Sequence, residues 1–180
     1  METIALFGGS FDPPHIGHEA IIKEALKIKE IEKVVIMPTY LNPFKSNFHA
    51  PSAVRLEWLE KIFSSYSDVG ISSFEVDLKR KVPSIESVKY LLKRYKKVYL
   101  IIGADNLKSL PKWDRYNELK KLVTFVVASR DKIDIPEDYL RLNVTEDISS
   151  TSLRKEIDRE KLLPKCVEQI TKFYKEYNAK

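Results

Sequence analysis

The sequence predicts an α/β fold: one doubly wound, Rossmann-like domain with a mainly parallel sheet, helices on both faces and a helical C-terminal end. Two observations support this prediction. Short apolar runs alternate with amphipathic helical patterns, which is typical of βαβ units. Motifs rich in glycine, histidine and serine directly follow such runs, where ligands bind in sheets of this kind. Because 180 residues fit one ordinary domain, we assign residues 1–180 to a single domain.

Six apolar runs have the length and composition of buried parallel strands. Near-continuous apolar character is typical of strands that are covered on both faces. The predicted strands are Ile4–Phe7, Val34–Met37, Val69–Ser72, Val98–Ile102, Leu122–Ala128 and Leu142–Thr145.

Three amphipathic helices are predicted between these strands, and further helical segments at the C-terminus. In each, apolar residues recur at helical spacing and would cover the sheet. The stripes consist of Ile21, Ile22, Ala25 and Leu26; Val54, Leu56, Leu59, Ile62 and Phe63; Val88, Leu91, Leu92 and Tyr95; and, at the C-terminus, Leu153, Ile157, Val167, Ile170 and Phe173.

Composition and charge exclude several classes of protein. Apolar residues make up 43% and charged residues 32%, the balance of a soluble globular protein, and the single Cys166 excludes a disulfide framework. The acidic start and the short apolar runs predict neither a signal peptide nor a membrane span. The net charge of +5 suits anionic ligands, but no segment reads as a basic arm. We therefore expect a cytoplasmic protein with no membrane or nucleic-acid partner.

The segment Gly8 to His18 contains the first candidate site, between the first strand and the first helix. It reads Gly-Gly-Ser-Phe-Asp-Pro-Pro-His-Ile-Gly-His. Gly8 and Gly9 would let a ligand approach and would adopt dihedral angles that other residues avoid. The prolines place the helix start near His15, so the two histidines share one face of the first turn with unpaired N–H groups. With Gly17 leaving space, this is an anion site suited to a phosphate chain; a zinc site is weaker, because no third ligand has a recognisable spacing.

The segment Ile148 to Arg154 is the second candidate site. It reads Ile-Ser-Ser-Thr-Ser-Leu-Arg, and its hydroxyl residues are good candidates for a helix N-cap. A cap alone would explain them, but Arg154 and Lys155 would then lie in the first turn, where cations oppose the helix dipole. A bound anion would account for that placement. We therefore expect Arg154, with Ser150 and Thr151, to hold an anion.

The least regular segment runs from Pro38 to Pro51. A loop of this length inside a compact domain is usually functional or mobile, and a lid over substrate is one hypothesis. Lys45 lies in this loop with nothing apolar to cover, which favours a functional role. Arg55 and Trp58 follow it and are expected to be structural or to contact the loop.

Together these motifs resemble the nucleotidyltransferase superfamily marked by a His-x-Gly-His motif, and within it the bacterial nicotinate-nucleotide adenylyltransferases. The first motif is specific to this branch, whereas the serine-rich arginine motif is shared more widely. The resemblance extends through most of the chain, to Pro38–Lys45, to Ile102–Asp105 with Trp113, and to Ser129-Arg130. Residues 1–180 would then form a single nucleotidyltransferase domain.

The resemblance implies a reaction. ATP and nicotinate mononucleotide would give nicotinate adenine dinucleotide and pyrophosphate in NAD synthesis, with Mg²⁺ carried on the ATP. The acceptor is a phosphate monoester that is largely dianionic at neutral pH, so the transfer needs no general base and no enzyme nucleophile. It needs in-line positioning and fixed positive charge.

The resemblance also implies roles for single residues. The catalytic set would be His15, His18, Lys45 and Arg154. ATP would be bound by Gly8, Gly9, Ser10, Phe11, Gly17, Gly103, Asp105, Ser150 and Thr151. The acceptor would be bound by Lys45, Ser84, Ile85, Glu86, Trp113 and Arg130. Asp105 as a helix N-cap and Trp113 as a core residue are the alternative interpretations.

Three positions depart from the family pattern. Phe44 stands where the family usually has histidine, Asp114 where it has an aromatic residue, and Ser84-Ile85-Glu86 where it has Ser-Tyr-Thr. An acid facing the pyridine carboxylate would be unfavourable. Either Glu86 and Asp114 point away, or the acceptor is nicotinamide mononucleotide.

Other functions stay open at this stage. Phosphopantetheine is the acceptor in a related branch, although the first motif and Trp113 argue against it, and a cytidylyltransferase fits less well. A non-catalytic nucleotide-binding module, or a nucleic-acid binder of similar fold, would not need two histidines, Lys45 and Arg154 together.

Overall fold

Six parallel strands form the centre of the fold in the computed structural model, which describes residues 1–145 and 148–180. They are β1 (Thr3–Gly9), β2 (Lys33–Pro38), β3 (Val69–Ile71), β4 (Lys97–Gly103), β5 (Val123–Ala128) and β6 (Leu140–Leu142). Their order is β3-β2-β1-β4-β5-β6, and every neighbouring pair is parallel. The direction of strand addition reverses between β1 and β4, and a ligand crevice is expected beyond the C-terminal ends of these two strands.

Helices connect the strands and follow the last of them. They are α1 (Ile16–Leu26), α2 (Ser52–Ile62), α3 (Phe74–Leu78), α4 (Ser84–Leu92), α5 (Tyr116–Leu122), α6 (Ser150–Lys155) and α7 (Val167–Asn178). Short 3-10 turns occur at Ala104–Asn106, Leu110–Lys112 and Arg159–Lys161. None of the helices in the described ranges is long and apolar enough to cross a bilayer.

The sheet separates two layers of core. Ala5 and Phe7 of β1 pack in one layer, with apolar residues of α1, α2 and α7. Ile4 and Leu6 pack in the other, with residues of α4 and α5. Successive residues of a strand point to opposite faces, so a strand buried on both faces must be apolar throughout. The predicted α/β architecture with helices on both faces is confirmed.

The predicted boundaries were wrong mainly at the last strand. We expected Leu142–Thr145, but β6 ends at Leu142. The N–H of Val144 donates to Ser129 Oγ at 2.9 Å, and the carbonyl of Val144 accepts from the same hydroxyl at 3.2 Å. The backbone of Val144 is therefore hydrogen-bonded to a side chain and not to the backbone of β5. The helices α3 and α5 were not predicted, because segments of 5 and 7 residues are too short to show an apolar stripe.

Candidate active site

Two adjoining cavities lie at the C-terminal edge of the sheet. The larger has a volume of about 780 Å³, and we call it the histidine cavity; its wall includes His15, His18, Lys45, Asp105, Arg130 and Arg154. The smaller has a volume of about 300 Å³, and we call it the aromatic cavity; its wall includes Thr39, Phe44, Glu75, Ser84 and Trp113. Asn42 and Gly103 line both cavities, so a ligand could extend from one into the other.

The two histidines of the first motif are held by the start of α1. His15 is the N-cap residue, and its Nδ1 accepts a hydrogen bond from the Gly17 N–H at 3.1 Å. The Nδ1 of His18 accepts from the His15 N–H at 3.1 Å, and the two rings stack with centroids 3.7 Å apart. Because each Nδ1 is an acceptor, each neutral ring carries its proton on Nε2. Within residues 1–145 and 148–180 neither Nε2–H has a hydrogen-bond partner, so both can donate to a ligand.

Burial keeps both rings neutral. Burial, assisted by the Arg130 charge, lowers the pKa of His15 to about 4. Burial, with the charges of His15 and Arg130, lowers the pKa of His18 well below its ordinary value. At neutral pH the site therefore offers two uncharged N–H donors and the positive charge of Arg130, which suits a phosphate oxygen.

Gly9 and Gly17 of the first motif are needed because a side chain at either position would be crowded, and not because of unusual dihedral angles. No glycine of the described residues has a positive φ, so the predicted dihedral role of Gly8 and Gly9 was wrong. A Cβ at Gly17 would lie 2.9 Å from the His15 ring, and one at Gly9 would lie 3.3 Å from the Phe11 ring. The positive φ falls on Phe11, at 52°, whose buried ring packs edge-on against His18. Gly17 also directs its N–H to His15, so that N–H is not an unpaired phosphate donor.

The walls of the histidine cavity take in most of the residues expected to bind ATP. Ser10, Phe11 and Gly17 line it, as do Gly103, Asp105, Ser150 and Thr151. Gly8 and Gly9 line the aromatic cavity instead. Asp105 is exposed, and the 3-10 turn that contains it has no side-chain cap, so the N-cap interpretation does not apply.

The second motif forms α6 and is capped as predicted. Ser149 Oγ accepts from the Ser152 N–H at 3.1 Å. Since α6 ends at Lys155, however, Arg154 and Lys155 lie in its last turn, where the helix dipole favours cations. The dipole argument for an anion at this helix was therefore wrong. Arg154 nonetheless lines the histidine cavity.

Hydrogen bonds join α6 to the first motif. The Arg154 guanidinium donates to the Asp12 carbonyl at 2.8 Å and to Thr151 Oγ1 at 3.3 Å. The Ser150 hydroxyl donates to the Pro13 carbonyl at 2.9 Å. These contacts fix the arginine beside the two histidines, although the two motifs are more than 130 residues apart in sequence.

Arg55 holds the loop between β2 and α2 in place. Its side chain is fully buried and donates to four backbone carbonyls. The acceptors are Ala50 at 2.8 Å, Ser10 at 2.6 Å, Thr39 at 2.9 Å and Tyr40 at 3.1 Å. The guanidinium thereby ties both ends of the loop to the first motif, which agrees with the expected loop-contacting role.

Asp12 anchors the same loop from the other side. Its carboxylate is 3% exposed and accepts from the N–H groups of His49 at 2.9 Å and Ala50 at 3.0 Å, and from the Tyr174 hydroxyl on α7. The C-terminal helix therefore supports the first motif directly. His49 is half-buried beside Asp12.

Lys45 lies on the exposed middle of the loop. Asn42 forms the turn before it, since Asn42 Oδ1 accepts from the Phe44 N–H at 2.8 Å and its carbonyl accepts from the Lys45 N–H at 2.9 Å. Burial and the charge of Arg154 lower the pKa of the Lys45 ammonium. Lys45 thus faces the same cavity as Arg154.

The residues expected to bind the acceptor are divided among three environments. Ser84 and Trp113 line the aromatic cavity, with Phe44 beside the indole at a ring-centroid distance of 6.3 Å. Arg130 lines the histidine cavity. Ile85 is fully buried in the core and Glu86 pairs with Arg80 at 2.6 Å, and neither lines the histidine cavity or the aromatic cavity.

Two residues of the aromatic cavity were missed by sequence reasoning. Thr39 and Glu75 are both buried and both line it. Glu75 lies in α3, which gave no periodic signal, and Thr39 follows β2 outside either motif. Of the two acids that were flagged, Asp114 lines the cavity but pairs with Arg115 at 3.1 Å.

Comparisons with known proteins agree with this geometry. The cytidylyltransferase-like family model matches residues 6–156. A protein of Sulfurimonas denitrificans named "Probable nicotinate-nucleotide adenylyltransferase" is 59% identical over 180 residues, covering 100% of this chain and 99% of the relative. A protein of Campylobacter fetus with the same name is 51% identical, covering 99% of each chain.

A solved structure supports the fold. The nicotinic acid mononucleotide adenylyltransferase of Plasmodium falciparum, complexed with NaAD, matches with a TM-score of 0.78 and 21% identity, covering 99% of this chain and 98% of that one. At that identity the match speaks for the Rossmann-like architecture alone. The high identity of the full-length relatives and the family model carry the assignment: the chain belongs to the cytidylyltransferase-like family and, within it, to the nicotinate-nucleotide adenylyltransferases.

Proposed function

We propose that this protein transfers the adenylyl group of ATP to nicotinate mononucleotide, giving nicotinate adenine dinucleotide and pyrophosphate. The observation that carries the proposal is the pair of adjoining cavities with different chemistry. One is lined by N–H donors and cations, and the other by two aromatic rings. A phosphate chain fits the first and a flat heterocycle fits the second, so the reacting phosphates would meet at their junction.

The residues of the histidine cavity would bind and activate ATP. The Nε2–H groups of His15 and His18 would donate to phosphate oxygens without a charge that must first be desolvated. Arg154 and Lys45 would neutralise the negative charge that develops on the α-phosphoryl group and on the departing pyrophosphate. Arg130 belongs with this group, because it lines the same cavity and not the acceptor side. No side chain needs to remove a proton, since the acceptor phosphate is already largely dianionic.

The rest of the assignment follows from the cavity walls. We assign ATP contacts to Ser10, Phe11, Gly17, Gly103, Asp105, Ser150 and Thr151, and acceptor contacts to Ser84 and Trp113. Lys45 lines the histidine cavity and would contact the acceptor only through the reacting phosphates. We assign Gly8 and Gly9 to the acceptor site and not to the ATP site, because they line the aromatic cavity. Ile85 and Glu86 line neither cavity and are assigned no ligand contact. Residues 1–180 would act as one nucleotidyltransferase domain.

Mg²⁺ is proposed as part of the ATP substrate. The histidine cavity offers cations, neutral donors and the carboxylates of Asp105 and Asp131, which fits a metal carried mainly by phosphates. When bound, the ion would neutralise phosphate charge. Asp105 would otherwise contact the nucleoside hydroxyls.

The test is pyrophosphate release from Mg-ATP with three acceptors supplied separately: nicotinate mononucleotide, nicotinamide mononucleotide and phosphopantetheine. We expect turnover to be fastest with nicotinate mononucleotide. Preference for the amide would keep the chemistry and change the acceptor. No release with any of the three would contradict the enzyme assignment and leave a nucleotide-binding module.

A further inference from the structure

Glu75 is a buried carboxyl group on the wall of the aromatic cavity for which the proposed transfer has no use. Its side chain is 6% exposed. Its hydrogen-bond partner is Ser87, whose hydroxyl lies 2.6 Å from Glu75 Oε1. Within the described ranges, no lysine or arginine forms an ion pair or hydrogen bond with it. A buried carboxylate without a cation is costly, so such a site favours the neutral acid.

The surroundings of Glu75 point in the same direction. Burial raises its pKa to about 7; the Ser87 hydrogen bond opposes this and the charge of Glu86 on α4 adds to it. Two other charged residues line the cavity: Asp114, which pairs with Arg115, and Lys112, which is exposed.

The other elements packed against α3 supply no compensating cation. The one charged residue of β2, Lys33, lies at the opposite end of that strand. On α2, Arg55 directs its N–H groups to backbone carbonyls, and Lys61 pairs with Glu57. On α3 itself, Asp77 is exposed and accepts from Ser73 at 2.7 Å.

Two residues that line this cavity each carry a buried polar atom without a partner in the described part of the chain. Thr39 Oγ1 and Trp113 Nε1 are buried and have no hydrogen-bond partner among residues 1–145 and 148–180. A hydroxyl, an indole N–H and a protonated carboxyl can all donate. A ring carboxylate only accepts, so it matches this set of donors, whereas a carboxamide brings two donors of its own.

We propose that Glu75 is a specificity-determining residue of the acceptor site: its carboxyl group donates a hydrogen bond to the ring carboxylate of nicotinate mononucleotide. The proposal rests on the proposed function and deepens it. Ser87 positions the acid through its hydroxyl, and the proton stays on Glu75, so no covalent bond is made or broken. An acidic residue in the acceptor site can thereby bind the carboxylate of nicotinate mononucleotide, because its carboxyl group is protonated.

Proton uptake on binding is the first test. A carboxylate can approach only the protonated acid, so binding at pH 8 must bring a proton onto Glu75 from solvent. Titration calorimetry of nicotinate mononucleotide in two buffers of different ionisation enthalpy measures this uptake. We expect the wild type to take up close to one proton more than Glu75→Gln. Any proton taken up by the phosphate of the ligand is the same for both proteins and cancels in this comparison. Equal uptake by the two proteins would overturn the proposal.

The rate profile is the second test. We expect kcat/KM for nicotinate mononucleotide to fall about fivefold between pH 7 and 8 and about tenfold between pH 8 and 9, in the wild type and in the Asp77→Asn control, because the ionised acid accumulates. Glu75→Gln should be flat over this range. Glu75→Met, which keeps the length of the chain but cannot donate, should shift selectivity toward nicotinamide mononucleotide by about tenfold or more.

The two proposals fail in different ways. If the wild type turns over nicotinate mononucleotide while the pH profiles of the wild type and Glu75→Gln coincide, the Glu75 proposal is wrong and the proposed function stands. If the wild type does not turn over nicotinate mononucleotide, the proposed function is wrong, and so is this inference.

Discussion

The histidine cavity and the aromatic cavity differ in how their polar groups are satisfied. In the first, the acceptor atoms of both histidine rings and the Arg154 guanidinium are engaged by backbone groups, so their free N–H groups point from fixed positions. In the second, Thr39 Oγ1 and Trp113 Nε1 have no partner within the described ranges, and Glu75 is a buried acid without a cation. The first cavity is preorganised, and the second is completed by what binds in it.

This difference follows from the chemistry each cavity serves. Stabilising charge that develops during transfer requires donors that do not reorganise. Selecting between a ring carboxylate and a ring carboxamide requires buried polar groups in the site. Binding of the wrong ligand leaves these groups without hydrogen bonds, which makes that binding less favourable. We therefore expect changes in the first cavity to affect the rate and changes in the second to affect acceptor binding and stability.

The largest effect is expected from His18→Ala. The change removes one preorganised donor, so kcat should fall about 10² to 10³-fold while KM for the acceptor changes little. Steady-state rates at saturating Mg-ATP would measure this. His18→Asn, which keeps an N–H donor and an acceptor for the His15 N–H, should lose less. An unchanged kcat in His18→Ala would remove the histidine from the transfer step.

Arg55→Leu should affect stability most. Four backbone carbonyls lose a buried donor, so the free energy of unfolding should fall by about 3 kcal/mol. Urea denaturation would measure the change, with Lys61→Ala, an exposed residue of the same helix, as a control that should unfold like the wild type. A variant as stable as the wild type would mean that the loop does not depend on this arginine.

How far the sequence predicts the site differs between the two cavities. The histidine cavity is built largely from contiguous motifs, so the spacing of His15 and His18 predicted an anion site, whereas Arg154 was proposed from a dipole argument that failed and from the family resemblance. The aromatic cavity is assembled from β2, α3, α4 and the turn before Trp113, and nothing in the sequence marks Glu75 or Thr39 as neighbours. Burial is a property of the folded chain, which is why the acids flagged from sequence, Glu86 and Asp114, were not the buried one.

The fold was more predictable than its hydrogen bonds. Apolar runs identified the first five strands because burial on both faces demands them, whereas the sixth run, Leu142–Thr145, overlaps β6 only at Leu142. The helix-dipole argument for Arg154 failed because it depended on where α6 ends, which the sequence does not show. In a helix of six residues, a shift of the end by one or two positions moves Arg154 from the first turn to the last.

The free energy of unfolding of Glu75→Gln tests whether the aromatic cavity contains a buried acid without a cation. The folded-state pKa of about 7 lies above the ordinary 4.5, so folding favours the protonated acid, and the wild type loses stability as pH rises between these values. A shift of this size corresponds to about 3 kcal/mol, of which we expect about 2 kcal/mol after local relaxation. Denaturation should find the variant equal to the wild type at pH 4 and more stable by that amount at pH 8. A difference that is the same at both pH values would contradict the raised pKa.

The smallest effect is expected from Trp113→Ala, and it separates the two cavities most cleanly. The indole is partly buried beside Phe44, so its loss removes stacking area from the acceptor and not from ATP. KM for nicotinate mononucleotide should rise about tenfold while KM for ATP stays unchanged. Trp113→Phe keeps a ring and should recover most of the loss, which separates stacking from the indole N–H. If Trp113→Ala instead lowered kcat with both KM values intact, the aromatic cavity would act in the transfer step, and the division of labour between the two cavities would be wrong.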